Sequence, residues 1–89
     1  MNKDAVRAAL ATFISELSRQ AEATHEACDR PLYEKFLAAA AVIIARVEQG
    51  EPIADDVDTM ERLFGNTWFE DEKAYDQIYS QWDTFKGLL

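Results

Sequence analysis

Cysteine, histidine, proline and glycine are scarce in this chain: one Cys, one His, two Pro and three Gly in 89 residues. Cys28 alone cannot close an internal disulfide, and a small protein without one belongs most readily in a reducing compartment, so the cytoplasm is the expected location. Gly50, Gly65 and Gly87 stand singly, and no glycine-rich phosphate loop exists. Long apolar runs are missing as well. The longest uncharged stretch, Phe36 to Ala45, has ten residues, where a membrane span needs roughly 18 or more. The first residues carry charge at Lys3, Asp4 and Arg7 and do not read as a secretion signal.

Positive charge is the other shortage. Seventeen acids face nine Lys and Arg, leaving a net charge of −8. Residues 1–50 hold seven acids and six bases, whereas residues 51–89 hold ten acids and three bases, so −7 of the −8 lies downstream. Such a field repels phosphate backbones, which are bound by replacing condensed counterions with Lys and Arg. Nucleic acids and anionic membranes are therefore not expected partners.

What is present is a folding composition, with 48% hydrophobic residues against 29% charged. A chain this short buries only about 60 to 65 per cent of its unfolded surface, enough for one small domain. Four amphipathic segments with helical spacing predict an all-α fold, a four-helix bundle or irregular four-helix array without a sheet. The helices are expected near residues 3–27, 30–49, 55–64 and 68–86.

Val6, Leu10, Phe13, Ile14, Leu17 and Ala21 form the stripe of the first helix, which Asp29 and Pro31 end. Leu32, Tyr33, Phe36, Leu37, Ala40, Ile43, Ile44 and Val47 cover half of the second, which is expected to be the most buried. Gly50 and Pro52 stop it. In the third helix Asp55 is placed to cap, Asp56 and Asp58 suit the first turn, and Val57, Met60, Leu63 and Phe64 face inward; Gly65 is expected to terminate it. Thr67 followed by Glu70 has the form of a capping box, which starts the fourth helix near Trp68.

The segment from Phe64 to Phe85 concentrates seven aromatics and five acids. At roughly 100° per residue, Trp68, Ala74, Tyr75, Ile78, Tyr79, Trp82 and Phe85 share an arc of about 140°, the width of a core-facing stripe. Glu72, Asp76 and Asp83 align beside Tyr79 as an acidic ridge, with Asp55, Asp56, Asp58 and Glu61 just upstream. Helices three and four are then expected to form a hairpin that brings both acidic clusters to one half of the molecule. With Tyr79 and Trp82 partly exposed, the ridge would match an aromatic anchor rimmed by steering charges, and its partner would be basic.

Chemical centres find little support. A calcium loop beginning at Asp56 fails, because its fifth and sixth positions are Met60 and Glu61. One Glu-x-x-His pair, Glu22 and His25, is half of what a di-iron bundle needs. Glu22, His25 and Cys28 do not converge on one point of a helix, and Cys28 is expected on the buried seam. A Cys–His pair on one helix cannot face itself across a cleft. No cofactor and no catalysis are expected.

The sequence thus favours a small acidic non-catalytic protein that binds a basic protein partner through Glu72, Asp76, Tyr79, Trp82, Asp83, Asp56 and Asp58. Small helical immunity proteins and antitoxins, which neutralise a basic toxin surface, illustrate the class, by analogy only. The alternative is a structural or regulatory homodimer without a docking surface, since the broad apolar arc of the second helix exceeds what one short chain readily covers. A metal-binding helical protein is the third reading.

Overall fold

In a computed structural model describing residues 2–89, the chain forms four helices, α1 (Lys3–Ala23), α2 (Arg30–Gln49), α3 (Ala54–Asn66) and α4 (Glu72–Lys86). No strand occurs among the described residues, and the fold is a four-helix bundle. No described helix is long and apolar enough to cross a membrane.

Local chemistry accounts for most boundaries. Asn2 caps α1, its side-chain oxygen accepting the N–H groups of Asp4 and Ala5 at 3.1 and 3.2 Å. The helix stops at Ala23 rather than near residue 27, because Thr24 turns extended and its hydroxyl accepts the Glu26 N–H at 3.1 Å. A hydroxyl that bonds the backbone two residues on favours a turn over another helical turn. Cys28 therefore leaves the seam on which a continued helix would have placed it, and it is exposed. Pro31 lies in the first turn of α2, where its missing N–H costs nothing. Gly50 ends that helix at φ 73°, a left-handed conformation that lets Gly50 and Glu51 donate back to Val47 and Arg46 at 3.2 and 2.9 Å.

α3 begins one residue before Asp55, with Ile53 at the cap position and no side-chain cap bond, so Asp55 and Asp56 act as first-turn charges. It also runs through Gly65 to Asn66. Gly65 does not stop the helix, since glycine weakens a helix interior by only about 1 kcal/mol and no left-handed turn is required there.

The largest departure from the sequence expectation lies at residues 67–71, which stay outside α4. The Thr67–Glu70 box does not form. The Glu70 and Asp71 N–H groups donate instead to the two carboxylate oxygens of Asp29, at 2.8 and 3.2 Å. Asp29 occupies the cap position of α2 but makes no side-chain bond to that helix, and it is fully buried. Asp71 then caps α4 by accepting the Ala74 N–H at 3.1 Å. Held this way, the segment points Phe69 inward against Tyr33 and Phe36, with ring centroids at 4.9 and 5.6 Å. Trp68, expected in the core stripe, is 87% exposed.

α1 packs against α2 and α4, and α2 packs against α3. Gln20 late in α1 bonds Gln77 in the first half of α4 at 2.7 Å, Arg46 late in α2 pairs with Asp56 early in α3, and Tyr75 early in α4 bonds Phe64 late in α3, so successive helices run in opposite directions. α2 buries Tyr33, Phe36, Ala40, Ile43 and Val47 and is contacted from two sides, by α1 and α3, as its broad apolar arc requires, while Ala38, Ala41, Val42 and Ala45 on its outer face meet solvent. The expected α3–α4 hairpin is also open: the backbones stand apart, and side chains span the gap. Phe64 is the hub of that bridge, touching Phe13 of α1, Phe36 of α2 and Tyr75, Tyr79 and Trp82 of α4 at centroid distances of 4.7 to 6.3 Å.

Replacing Asp29 tests the clamp. Asp29→Ala leaves two amides without an acceptor and is expected to cost about 2 kcal/mol, with Asp29→Asn, which keeps one acceptor, near half of that. Urea unfolding measures both, and an alanine variant within error of the parent would show that the loop is held by other means.

Candidate functional site

Because α3 and α4 do not close on each other, the bundle carries a cleft on that side. Its deeper part, about 380 Å³, is lined by Phe64, Gly65, Thr67, Trp68, Phe69, Glu72, Tyr75 and Asp76. A shallower groove continues from it past Phe64, Gly65 and Tyr75 to Glu61 and Tyr79. The 67–71 clamp builds one wall, to which it contributes exposed Trp68 and buried Phe69. α4 builds the other, with Tyr75 and Tyr79 one turn apart and their rings stacked, 11° between planes at 6.4 Å.

The walls are tied together by polar contacts. Tyr75 Oη donates to the Phe64 carbonyl at 2.9 Å. Burial, followed by the charges of Tyr79, Asp76 and Glu61, raises the Tyr75 pKa, so the hydroxyl keeps its proton and remains a donor. At the far end, Trp82 Nε1 donates to Glu61 Oε1 at 3.1 Å, and Lys86 Nζ pairs with the same carboxylate. Burial would raise the Glu61 pKa, but the bonds from Lys86 and Trp82 and the Lys86 charge outweigh it and hold the carboxyl below its ordinary range. Lys86 is raised in turn, first by its bond to Glu61. Its ammonium also sits 5.8 Å from the centre of the Tyr79 ring, with Asp83 at 3.9 Å.

The seven residues singled out from sequence separate into distinct environments. Glu72 and Asp76 are exposed and line the deep part of the cleft. Tyr79 is half-buried and lines the shallow groove. Asp83 is exposed beside Lys86. Trp82 offers nothing to a partner: it is fully buried, packed in tilted contact with Phe13, Phe64 and Phe85, with its N–H spent on Glu61. Asp56 lies instead on the α2–α3 side, where Arg46 Nε stands 2.9 Å from its Oδ2. That N–H is not aimed at the carboxylate, so the contact is an ion pair rather than a directed hydrogen bond. Asp58 is exposed on α3. The downstream acids thus do not form one field; an arginine from α2 partly neutralises the α3 cluster.

Sequence reasoning missed three contributors. A fourth helix beginning near Trp68 would turn that ring inward, whereas α4 begins at Glu72 and leaves it exposed. Phe69 fell on no stripe. Glu61 was grouped with the capping acids, although its spacing from Met60 and Phe64 already placed it at the edge of the buried face. Elsewhere, Tyr33 is buried and its hydroxyl has no partner among the protein atoms. Burial, then the charges of Asp29, Asp71 and Glu16, push its pKa up to about 12. His25 and Cys28 are both exposed in the 24–29 turn, and no three His, Cys, Asp or Glu side chains converge as a metal site among the described residues.

No family model matches the chain, and no curated protein or solved structure is similar to it.

The Glu61–Lys86 pair has a defined pH window. Glu61 is lowered in the fold, so its contribution is complete above the ordinary value of 4.5 and is lost as pH falls through the lower folded value. Lys86 is raised, so its contribution is complete below 10.5 and is lost as pH climbs through the higher folded value. Glu61→Gln keeps an acceptor for Trp82 but removes the charge. It is expected to lose about 0.5 to 1 kcal/mol at neutral pH and to converge with the parent once Glu61 is protonated. Thermal melts across that acid range check it; a constant offset at every pH would contradict the assignment.

Proposed function

We propose that this chain is a small non-catalytic binding protein whose α3–α4 cleft engages a basic surface of another protein. The observation that carries this reading is the pairing of an exposed tryptophan with unneutralised carboxylates at one opening. Trp68 is 87% exposed, and neither Glu72 nor Asp76 has an ion-pair partner among the described residues. A large ring left in water beside uncompensated charge contributes nothing to stability, whereas at an interface it is the usual anchor, with the carboxylates guiding approach and selecting partner charge. The docking residues are therefore Trp68, Glu72, Tyr75, Asp76 and Tyr79. Catalysis is not part of the proposal: Glu72 and Asp76 are exposed to water, whereas a general acid works from a partly enclosed site.

A second reading rests on α2. Its outward alanines surround Val42, which is 44% exposed, and an apolar strip of this kind on a long helix suits association with another copy. Sedimentation separates the two readings. A dimer that persists at high salt and is lost in Val42→Glu supports the strip, while a monomer under all conditions removes it.

Affinity capture from native lysate tests the leading reading. Basic proteins are expected to be retained at low salt, released as the ionic strength rises past the point where screening shortens to a few ångströms, and absent when the bait carries Glu72→Lys and Asp76→Lys. Capture that is indifferent to both salt and charge reversal would refute it.

A further inference from the structure

We infer that the deep end of the cleft is a pocket for a single arginine side chain of the basic partner. The inference rests on the docking role proposed for the cleft and names the group that fills it.

The molecule already contains a working example of the chemistry. At the shallow end Lys86 supplies a cation to the Tyr79 ring, flanked by the carboxylates of Glu61 and Asp83. One turn earlier on α4, Tyr75 lies parallel to Tyr79 and lines the deep end together with Trp68, Glu72 and Asp76. Trp68 adds the ring type with the strongest attraction for cations. Rings and carboxylates line this end together, and none of the ion pairs among the described residues involves Glu72 or Asp76.

Guanidinium fits this site better than ammonium does. It is planar, so it can lie against an indole or phenol face, and it is weakly hydrated, so it leaves water at lower cost. Its five donors can reach two carboxylates at once, and Glu72 and Asp76 stand one turn apart on the same helix edge. An ammonium can serve a ring and carboxylates together, as Lys86 does, but as a point charge it cannot lie flat on a ring, and it sheds a tighter water shell. The positive end of the α4 dipole does not oppose the cation, because Asp71 caps the helix and Glu72 occupies its first turn.

Trp68 makes the pocket directly readable in the full chain. It is the exposed tryptophan and Trp82 is the buried one, so collisional quenching by acrylamide reports Trp68 while Trp82 emission reports the intact core. Capped Gly-Arg-Gly is expected to shield Trp68, capped Gly-Lys-Gly to bind about two- to fivefold more weakly, and capped Gly-Gln-Gly not to bind. Amide shifts across residues 64–76 should follow the same order. In the chain carrying Glu72→Gln and Asp76→Gln, affinity for the arginine peptide is expected to fall about fivefold. In Trp68→Ala the preference for arginine over lysine should disappear. Equal binding of the arginine and lysine peptides, or arginine binding that leaves Trp68 quenching unchanged, overturns the pocket. The two ideas fail separately: capture of basic proteins that is lost on charge reversal, with the arginine and lysine peptides bound equally, keeps the docking surface and removes the arginine pocket. Capture untouched by charge reversal removes both.

Discussion

A single buried carboxylate sets the geometry on which the cleft depends. Asp29 takes no part in capping its own helix and instead receives the amides of Glu70 and Asp71, more than forty residues later in the chain. A buried carboxylate is costly unless its oxygens are hydrogen-bonded, and backbone amides left dry are costly without an acceptor. Each solves the other's problem. The consequence is that residues 67–71 cannot wind into α4. Phe69 is turned into the core against Tyr33, and Trp68, its neighbour, is turned out.

The aromatic content then serves two purposes. α3 is short and its backbone does not pack against α4, so a gap must be bridged by side chains of unusual size. Phe64 does this by reaching rings on each of the other three helices, and Trp82 completes the floor with its N–H satisfied by Glu61. Bulky rings spanning a gap fill its base but leave its mouth open. The cleft is thus a by-product of how the core is filled. Its chemical character, aromatic walls beneath a carboxylate rim, comes from the same α4 residues that were needed for packing on one face and solubility on the other.

Charge behaves less simply than its total suggests. Most of the net −8 falls in the downstream residues, yet those acids have different fates. Asp56 pairs with Arg46, Glu61 with Lys86, and Asp71 is spent on a cap. Glu72 and Asp76 are exposed, line the cleft beside Trp68 and Tyr75, and enter no ion pair among the described residues. A count of carboxylates along the chain cannot make this distinction, because pairing is decided by side chains from other helices.

Read from its sequence, the chain is legible as four amphipathic helices with most of their inward residues, since a 3.6-residue apolar period and glycine or proline punctuation are local signals. Val6 to Leu17, Tyr33 to Val47, Met60 with Phe64, and Ile78 to Phe85 are buried in the fold as their spacing requires. The helix ends of α1 and α4, the orientation of Trp68 and Phe69, the exposure of Cys28 and the pairing of Asp56 were not legible. Each depends on a competitor for a hydrogen bond or a counter-ion that is distant in sequence or invisible to periodicity. The sequence by itself determined that the chain is helical, acidic and rich in rings near its end, because propensity, pattern and charge are properties of neighbouring residues. Only the tertiary structure decided which rings face water and which acids remain unpaired, because those outcomes follow from contacts that exist once Asp29, Arg46 and Lys86 are brought beside the downstream half.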